Sequence, residues 1–404
     1  MNIVQINATY NVGSTGKIMS DLNDVVCRTG SNGFMVSGYY HKSNIDNLYC
    51  TSHNNHLWEI KKNLLISRIT GTMGYRYLDR TESAIHWIDE KNPDIIHLHN
   101  IHGNWIHLET LFNYIKKRKI PVVWTLHDCW AFTGRCSHFE LCGCNKWKSQ
   151  CYNCVNTKVY PITYFFDKSK KMFLDKKKWF SGIENMTIVT PSKWLADYVK
   201  QSFLGDYPIE VIHNGIDINM FSPSENKSKY CNCVGNKKII LGVASSWSQT
   251  KGLFDFLKLD SLINHDQYQI VMVGLNEKQL RLLPKSIIGI SRTNNQKELV
   301  DLYSDAFVFV NPTYQDNFPT TNLEALSCGT PVITYNTGGC PEAVTQQVGA
   351  VIKKGDVEGI LKAIKEIENV KKESCRFFAQ EHFDKFESYK EYINLYKKLL
   401  IKKI

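Results

Sequence analysis

The chain has 404 residues, a length that predicts two or three domains at roughly 150 residues each. Hydrophobic residues make up 43% and aromatic residues 12%, which excludes a wholly disordered chain because this content supports large cores. Lys and Arg number 49 and Asp and Glu 39, so the formal net charge is +10. This excess favours polyanionic partners, namely nucleotides, phosphate esters, anionic lipid headgroups or nucleic acid, without selecting among them.

The compartment is predicted from what the chain lacks. No apolar run approaches the ~18 residues of a transmembrane helix. The first residues, MNIVQINATYNVGSTGKI, do not show a basic segment followed by an apolar one, so we expect no signal peptide. We therefore expect a cytosolic chain. Its 13 cysteines, an odd number, favour free thiols, with or without a metal site, over a disulfide framework.

Short apolar runs alternate along the chain with amphipathic stretches. Runs typical of strands buried on both faces occur at Asn2–Asn7, Gly33–Ser37, Ile95–His97, Val122–Leu126, Thr187–Thr190, Glu210–Ile212, Lys238–Ala244, Gln269–Val273, Ile287–Ile290, Ala306–Val310, Pro331–Thr334 and Gly349–Ile352. Helical patterns lie between them at Gly16–Thr29, Glu82–Lys91, Leu108–Lys117, Ser192–Ser202, Gln296–Ser304, Asn322–Ser327 and Val357–Val370. This alternation predicts an α/β protein whose parallel sheets are wound on both faces.

A polar segment, His213–Lys238, divides the strands into two groups of about six. We therefore predict an N-terminal domain over residues 1–213, a linker over 214–238 and a second domain over 239–381. A Lys-rich helical tail, 382–404, is expected to return to the first domain. Ligands of open α/β sheets bind beyond the carboxyl ends of the strands, so the expected site is a cleft between the domains.

The segment Asn311–Gly339 is the most informative about chemistry. It predicts a strand, a loop, a helix that begins near Thr320 or Thr321, and a second strand. The free amides and the dipole at a helix N-terminus suit a phosphate. Asp316 and Glu324 could accept hydrogen bonds from the vicinal hydroxyls of a ribose or hexose. Alternatively, they are a turn residue and a solvated helix position.

This segment resembles the acidic-x7-Glu motif of retaining GT-B glycosyltransferases of glycosyltransferase family 4, in the bacterial branch that builds capsular polysaccharide and exopolysaccharide. Further matches follow in the family's order at GSTGKI (Gly13–Ile18), HLHNIHGNW (His97–Trp105), TLHDCWAFTG (Thr125–Gly134), TPSKWLAD (Thr190–Asp197), VIHNGID (Val211–Asp217), GVASSWSQTKG (Gly242–Gly252) and TGGCPEAV (Thr337–Val344). The resemblance implies a GT-B fold of two doubly wound, Rossmann-like domains facing a cleft. It also implies retaining sugar transfer that requires no metal for catalysis.

The resemblance assigns roles to several donor-side residues. Glu324 matches the acid that holds the donor ribose, and Asp316 matches the acid beside the transferred sugar, where many relatives have Glu. Lys251 matches the cation that stabilises the leaving nucleotide diphosphate, although it could be an ordinary surface lysine. Gly13 and Gly16 follow the first strand, where glycines allow the backbone to approach a phosphate or sugar; a simple turn is the alternative.

The amides of the acidic motif usually meet the donor diphosphate, according to the same resemblance. Phe318, Pro319 and Thr320 occupy that stretch. Because Pro319 has no N–H, Thr320 and Thr321 are the better candidates. Ser246 stands where many relatives have an arginine, so either Lys251 acts with less help or Arg292 or another cation contributes.

Histidines form the predicted acceptor side. His127 ends a strand and matches a position beside the transferred sugar; a buried structural histidine is the alternative. His99, Asn100 and His102 match a cleft-side loop, which suggests acceptor binding. The spacing of His97, His99 and His102 could also suggest a metal site, but the family match disfavours it.

Six of the thirteen cysteines fall between Cys129 and Cys154. Cys151 and Cys154 could close on a tetrahedral ion, with Cys136 and either Cys142 or Cys144 completing four thiolates. The region 129–154 resembles a Cys-rich insertion in the polysaccharide branch, where the matching positions are Cys136, Cys144, Cys151 and Cys154. A structural zinc, reduced packing thiols and a disulfide all stay open, and a catalytic zinc is not expected.

The segment Thr163–Gly182 places aromatic residues near helical spacing among six lysines. Such a helix could lie at an anionic membrane surface, or it could pack between elements with a solvated Lys face. A lipid-linked acceptor would suit the first interpretation.

These observations predict a cytosolic glycosyltransferase, peripheral to the membrane if the basic helix binds it. The expected donor is a nucleotide diphosphate sugar with UDP as the nucleotide, and the expected acceptor is a lipid-linked saccharide. A nucleotide-sugar epimerase of GT-B fold is the rival. A zinc-supported nucleic-acid module is not expected, since the Cys segment lacks an adjacent basic recognition helix.

Overall fold

A computed structural model describes residues 1–39, 45, 47–51, 57–230 and 234–401. The chain divides into two units. Unit 1 comprises Met1–Ile212 with Tyr389–Ile404, and unit 2 comprises His213–Ser388. Residues 231–233 of the predicted linker and 402–404 of the predicted tail helix lie outside the described residues.

Unit 1 is built on a seven-stranded parallel sheet. Its strands are β1 (Asn2–Asn7), β2 (Asn32–Ser37), β3 (Leu48–Cys50), β4 (Ile95–Leu98), β5 (Val122–Thr125), β6 (Met186–Thr190) and β7 (Ile209–Val211). They pair in the order β3-β2-β1-β4-β5-β6-β7, and every pair is parallel. The chain winds outward in both directions from β1, as in doubly wound folds.

The helices of unit 1 cover both faces of its sheet. They are α1 (Gly13–Arg28), α2 (Leu57–Thr70), α3 (Leu78–Glu90), α4 (Leu108–Arg118), α5 (Ser169–Phe180), α6 (Lys193–Lys200) and, from Tyr389 onward, α13 (Lys385–Ile401). All four residues of β4 and all four of β5 are buried, because helices cover the side chains that point to either face.

Unit 2 repeats this architecture with six strands. They are β8 (Lys238–Val243), β9 (Tyr268–Val273), β10 (Ile288–Ile290), β11 (Val308–Asn311), β12 (Val332–Tyr335) and β13 (Gly349–Ile352), in the parallel order β10-β9-β8-β11-β12-β13. Its helices are α7 (Leu253–Asp260), α8 (Glu277–Leu282), α9 (Gln296–Asp305), α10 (Thr320–Ser327), α11 (Val357–Glu366) and α12 (Lys372–Phe383).

The segment predicted to be a linker packs within unit 2. Phe221 and Val234 are buried in its core, and Ile216 forms a parallel bridge with Asp384. β3 had no counterpart among the predicted strands, because Leu48–Cys50 is an apolar run of only three residues. The α/β class with two parallel, Rossmann-like sheets is confirmed.

The basic, aromatic segment Thr163–Gly182 is helical only in part, because α5 begins at Ser169 and ends at Phe180. Its apolar side chains Phe173 and Phe180 are buried in unit 1 rather than presented to solvent. Lys176 is buried as well; its ammonium donates to the Trp130 carbonyl and lies 3.8 Å from the Trp130 ring centroid. The packing interpretation therefore describes α5. Among the described residues, no helix has both the length and the apolar content needed to cross a bilayer.

The tail helix α13 contributes two tyrosines to the interior of unit 1. The Tyr396 hydroxyl lies 2.7 Å from Nδ1 of His97, and Nε2 of His97 lies 2.8 Å from Oγ1 of Thr125. Thr125 donates in turn to the Tyr392 hydroxyl. Because the Thr125 hydroxyl proton is donated to Tyr392, the Thr125 oxygen can only accept from His97. His97 therefore carries its proton on Nε2, and its Nδ1 accepts from the Tyr396 hydroxyl.

Replacing Tyr396 by Phe should destabilise unit 1, because it leaves Nδ1 of a fully buried histidine without its donor. We expect a loss of about 1–3 kcal/mol, the cost of a buried unsatisfied acceptor. Tyr152→Phe, at an exposed tyrosine, is the control and should change stability little. Thermal unfolding of the three proteins measures the difference, and equal midpoints for the two variants would contradict the role of Tyr396.

Candidate active site

In unit 2, the loop after β8 presents Lys251 to the loop after β11. The Lys251 ammonium donates to Oδ2 of Asp316 at 2.6 Å. The two side chains are 35% and 22% exposed, so the pair is partly accessible to solvent. Burial alone would lower the pKa of Lys251, but the Asp316 carboxylate more than compensates and raises it. Lys251 therefore stays charged at physiological pH.

Backbone contacts hold these two loops together. The Tyr314 N–H and the Thr313 hydroxyl both donate to the Thr250 carbonyl, at 2.8 and 3.2 Å. Gly252 has φ of 78°, and a Cβ at this position would lie 2.4 Å from the Pro312 carbonyl oxygen. The glycine after Lys251 is thus required by the close approach of the β11 loop.

A second glycine supports Asp316 from the loop after β12. Gly338 has φ of 56°, and a Cβ there would lie 1.8 Å from the backbone oxygen of Asp316. Three loops, which follow β8, β11 and β12, therefore meet around the Lys251–Asp316 pair. This is the edge at which parallel strands end.

The other acid of the motif, Glu324, lies on α10 and is half-buried. Its Oε2 accepts a hydrogen bond of 2.9 Å from the hydroxyl of Tyr303, which is fully buried on α9. Burial first, and then the Glu324 charge, raise the pKa of Tyr303 well above its ordinary value. The phenol therefore keeps its proton and orients the carboxylate. The sequence interpretation missed Tyr303, because its position in α9 reads as an ordinary apolar one.

The stretch predicted to meet the diphosphate divides into two parts. The Phe318 side chain is buried and stacks on His213 with ring centroids 4.7 Å apart, so only its backbone is available to a ligand. Thr320 and Thr321 begin α10 and are half-buried. Pro319 is the N-cap residue and makes no side-chain capping bond, which leaves the first-turn amides of α10 without a side-chain cap.

In unit 1, the predicted histidines follow β4 and β5. Nε2 of His99 lies 3.0 Å from the amide oxygen of Gln5, and Nδ1 of His99 lies 3.2 Å from Nε2 of His127. The amide oxygen can only accept, so His99 donates through Nε2 and accepts through Nδ1. His127 must then donate through Nε2, which makes its own Nδ1 an acceptor.

Both rings are neutral at physiological pH. Burial lowers the pKa of His99 well below 6.5, and neighbouring His97 and His127 lower it further. Burial likewise lowers the pKa of His127 to about 4, against the opposing charge of Asp128. A neutral His127 with an acceptor at Nδ1 suits a sugar hydroxyl, and the geometry disfavours a metal site among these histidines.

His102 belongs to a different set of contacts. Its Nε2 lies 3.1 Å from Oδ2 of Asp128, and its Nδ1 lies 3.0 Å from the hydroxyl of Tyr160. Burial by itself would raise the pKa of Asp128. The contact with His102 outweighs burial and lowers this pKa to about 2. Asn100 is tied to the end of β1, since its N–H donates to Oδ1 of Asn7 at 3.0 Å.

Gly13 and Gly16 lie in the first turn of α1, which begins three residues before the predicted start. Gly13 has φ of 66° and open space around its Cα. A Cβ on Gly16 would lie 2.8 Å from the Thr9 hydroxyl, so Gly16 has a packing reason of its own. Gly13 is the one of the two that leaves room for a ligand.

The cysteine cluster does not form a ligand set. The thiol of Cys136 donates to Cys154, which raises the pKa of Cys136 and lowers that of Cys154. Cys151 accepts from the Gly134 N–H at 3.1 Å, and Cys142 accepts from the Asn156 amide at 3.0 Å. Within the described ranges, no three His, Cys, Asp or Glu side chains are placed to hold a metal ion.

The structural zinc that the spacing left open therefore has no set of three ligands in the described residues, and it stays a prediction. The four thiols predicted to bind it are Cys136, Cys144, Cys151 and Cys154. Cys136 donates to Cys154, and Cys151 lies close enough to Cys144 and Cys154 for their charges to add to the effect of burial on its pKa, but no three described side chains are placed to hold an ion. Cys136, Cys144, Cys151 and Cys154 form no disulfide.

Two consecutive regions of the chain match known family models. Residues 65–220 match the family model described as Glycosyltransferase Family 4, and residues 229–382 match Glycosyl transferases group 1. A protein named as a colanic acid biosynthesis glycosyl transferase, WcaC, of Escherichia coli strain K12 is 24% identical over 377 residues, which cover 88% of each chain. An N,N'-diacetylbacillosaminyl-diphospho-undecaprenol alpha-1,3-N-acetylgalactosaminyltransferase of Campylobacter jejuni is 26% identical over 161 residues, covering 37% of this chain and 42% of the relative.

Solved structures share the fold. A sucrose-phosphate synthase of Thermosynechococcus elongatus superposes with a TM-score of 0.72 at 14% identity, covering 99% of both chains. The Anabaena protein Alr3699/HepE, in complex with UDP and glucose, superposes with a TM-score of 0.65 at 14% identity, covering 97% of this chain and 98% of the other.

Two Rossmann-like parallel-sheet units that carry these two family regions define a glycosyltransferase of GT-B fold. This chain therefore belongs to the family of glycosyltransferases in which a Glycosyltransferase Family 4 region is followed by a Glycosyl transferases group 1 region. The family and the fold expected from the sequence motifs are confirmed.

Replacing Gly338 by Ala should destabilise unit 2 and displace Asp316. A left-handed residue with a Cβ costs about 1–2 kcal/mol, and the contact with the Asp316 oxygen adds to this cost. Gly235→Ala is the matched control, because Gly235 has φ of 63° and open space around it. Thermal unfolding should show the larger loss for Gly338→Ala, and equal losses would show that the approach to Asp316 is unimportant.

The histidines of unit 1 should make the protein less stable in mild acid. The unfolded chain protonates His127 near pH 6.5, whereas the folded chain resists protonation down to about pH 4. The unfolded state therefore binds more protons in this window, and the free energy of unfolding falls as the pH drops through it. At about 1.4 kcal/mol per pKa unit, His127 contributes about 3 kcal/mol.

Chemical unfolding from pH 7 to pH 4 measures this dependence. His127→Asn should flatten the decline, whereas His86→Asn, at an exposed position on α3, should leave it unchanged. An identical decline in wild type and His127→Asn would contradict the assignment to His127.

Proposed function

We propose that this glycosyltransferase moves a hexose-type sugar from a UDP-sugar to a lipid-linked saccharide, with retention at the anomeric carbon, in capsule or exopolysaccharide synthesis. We further propose that it works in the cytoplasm, peripheral to the membrane. The observation that carries the proposal is the Lys251–Asp316 pair, near α10, the helix that carries Glu324.

The donor chemistry of unit 2 supports this assignment. Lys251 and the first amides of α10 together offer a cation and uncapped N–H groups, which suit a diphosphate. Asp316, at 2.6 Å from Lys251, would accept from a hydroxyl of the sugar next to that diphosphate. Glu324, oriented by Tyr303, would accept from the ribose hydroxyls.

The proposed reaction needs stabilisation of the leaving group above all. The bond between the anomeric carbon and the diphosphate oxygen breaks, and its electron pair stays on the diphosphate. The acceptor hydroxyl forms the new bond on the same face, and its proton passes to the departing diphosphate. A fixed cation at Lys251 and the helix amides would stabilise the charge that develops there.

The histidines of unit 1 suit neutral sugar groups rather than phosphates. His127 is uncharged and its Nδ1 is an acceptor, so we assign it to a hydroxyl of the transferred sugar. His102 is held by the ionised Asp128, and we assign it, with Asn100, to the acceptor side. His99 is buried with both ring nitrogens bonded to Gln5 and His127, so we assign it to the positioning of His127 instead of to the acceptor.

The nucleotide and the acceptor rest on relatives as well as on this chemistry. A structural neighbour is described in complex with UDP and glucose, and a relative is named for an undecaprenol-diphosphate acceptor. Another relative is named for colanic acid biosynthesis. These names support a UDP-sugar and a lipid-linked saccharide as the first substrates to test.

Replacing Lys251 by Ala should lower kcat for sugar transfer by on the order of 10²–10³-fold, the usual effect of removing one group that stabilises developing charge. Lys354→Ala, at an exposed lysine of the same unit, should retain wild-type activity. Transfer from UDP-glucose and related UDP-sugars to a lipid-linked acceptor is followed by mass spectrometry. Near wild-type transfer by a folded Lys251→Ala protein would refute the assignment.

The nucleoside contact is tested at Glu324. Glu324→Ala should raise the KM for the donor by on the order of 10–100-fold, since a hydrogen bond to a charged group contributes about 1.5–3 kcal/mol. Tyr303→Phe should raise it less, because the carboxylate stays but loses its orienting partner. Glu358→Ala is the exposed control. Incubation with donor but without acceptor tests the epimerase alternative, which would yield a new nucleotide sugar.

A further inference from the structure

Unit 1 presents exposed hydrophobic side chains along one face of α2. Trp58, Leu65 and Ile69 are seven and four residues apart, so they lie on the same face of the helix. All three are exposed, and Trp58 is 85% exposed. Soluble monomers rarely leave a contiguous apolar surface uncovered, so this face of α2 indicates a contact surface.

The segment before α5 extends this apolar surface. The Tyr164 N–H donates to the Arg68 carbonyl at 2.8 Å, and Nη1 of Arg68 donates to the Tyr164 hydroxyl at 3.2 Å. A Cβ on Gly71 would lie 2.2 Å from the Phe166 carbonyl oxygen, so the segment packs closely on the end of α2. Phe165, beside this contact, is 74% exposed. The two elements form one surface, the apolar patch, which consists of Trp58, Leu65, Ile69, Tyr164, Phe165 and Phe166.

Lysines border the apolar patch. Lys61 and Lys62 are exposed on α2 between Trp58 and Leu65, and the Lys61 ammonium lies 5.6 Å from the Trp58 ring centroid. In the segment before α5, the ammonium of the exposed Lys168 lies 5.7 Å from the ring centroid of Phe166. Aromatic rings and ammonium groups therefore alternate on this surface.

The two acids of these elements already have partners. Glu59 pairs with Arg80. The Asp167 carboxylate accepts from the backbone N–H groups of Cys154 and Ser169. The charge beside the apolar patch is therefore positive, and its exposed lysines are Lys61, Lys62, Lys158, Lys168 and Lys170. An anionic surface would complement it.

This combination of side chains fits one kind of partner. Tryptophan, tyrosine and phenylalanine rings lie at the headgroup level of a bilayer, and lysines beside them meet the anionic lipid phosphates. Interfaces between proteins are instead depleted in lysine, which disfavours a second copy of the chain.

The apolar patch also adjoins the acceptor side of the candidate site. Leu64 and Arg68 of α2 line one small cavity together with Tyr160 and Ile162. The Tyr160 hydroxyl lies 3.0 Å from Nδ1 of His102, a residue assigned to the acceptor. A saccharide on a lipid at this surface would therefore begin close to His102.

We propose that the apolar patch and its lysines bind the surface of an anionic phospholipid bilayer, with the aromatic side chains in the interface and the lysines at the lipid phosphates. This inference rests on the proposed function, because a lipid-linked acceptor lies in such a bilayer. It assigns the membrane contact to α2 and the segment before α5. It does not assign it to α5, whose apolar side chains Phe173 and Phe180 are buried.

Co-sedimentation of the full chain with vesicles tests the lipid class. Vesicles of phosphatidylcholine mixed with phosphatidylglycerol should bind about 10-fold more tightly than vesicles of phosphatidylcholine alone, since each lysine near an anionic surface adds to the attraction. Equal binding to the two kinds of vesicle, or binding to neither, overturns the proposal.

The double variant Trp58→Gln, Phe165→Gln should bind the anionic vesicles about 10-fold more weakly, because two large side chains no longer enter the interface. The matched control is Leu282→Gln, Phe377→Gln, which changes two exposed hydrophobic side chains of unit 2 and should bind as wild type does. Unchanged binding by the first variant, or equal losses in both, overturns the role of the apolar patch.

The lysines are tested in the same way. Lys61→Gln, Lys62→Gln should weaken binding several-fold and reduce its salt dependence, whereas Lys353→Gln, Lys354→Gln should not. All four lysines are exposed, so this pair of variants tests the surface even if the aromatic double variant does not fold. Equal losses in the two lysine variants would mean that net charge alone drives binding, which overturns the proposal.

Sedimentation velocity without lipid tests the other occupant, a second copy of the chain. We expect a wild-type monomer. A wild-type dimer that Trp58→Gln, Phe165→Gln dissociates would assign the apolar patch to self-association and overturn the proposal.

Two acceptors separate this inference from the proposed function. The aromatic double variant should keep wild-type transfer to a saccharide on a short, water-soluble lipid chain. It should lose about 10-fold in transfer to the same saccharide on a long chain in anionic vesicles. Equal transfer to the vesicle-bound acceptor by variant and wild type would overturn the inference. A wild-type protein that transfers to neither acceptor and does not bind UDP would reject the proposed function, whereas vesicle binding would still report on the apolar patch.

Discussion

Parallel strands covered on both faces leave little room for polar groups except where the strands end, and both units are organised by this constraint. β5 and β12 are buried along their whole length. The polar side chains and tight glycine turns follow directly after such strands, as His127 follows β5 and Gly338 follows β12. The hydrophobic effect that builds each sheet therefore also gathers the reactive groups at one edge of it.

The candidate sites of the two units differ in charge. In unit 2, Lys251 and Asp316 are only partly buried and pair at 2.6 Å, and the carboxylate raises the pKa of Lys251 against the effect of burial. In unit 1, His99 and His127 are desolvated and lose their protons, while Asp128 keeps its charge because His102 faces it. A charged set suits a diphosphate, and a neutral set suits hydroxyl groups. The same fold thus offers two different chemistries.

Local sequence patterns were sufficient to locate a strand or helix where burial and residue spacing alone determine its bounds. The apolar runs located β1 and β13 with the bounds that the structure shows, and α10 begins at Thr320 as its sequence suggested. They were insufficient for α5, whose aromatic and lysine pattern fits a membrane surface and a packed core equally well. Only the neighbouring elements show that its apolar face is buried and that Lys176 is buried with it. The cysteines are a similar case, since their spacing allowed four ligands, whereas among the described residues no three side chains are placed to hold an ion.

From residue types and their order alone, the fold class, the family and the acidic motif with Lys251 could be inferred, because these depend on periodicity and on motifs of fixed spacing. The partners that give those residues their properties could not. Tyr303 orients Glu324, Gln5 sets the tautomer of His99, and the buried Arg135 donates to the Pro161 carbonyl. Each of these facts depends on side chains brought together from distant positions, where burial decides which donors are satisfied and which charges persist. That information exists only once the chain has folded.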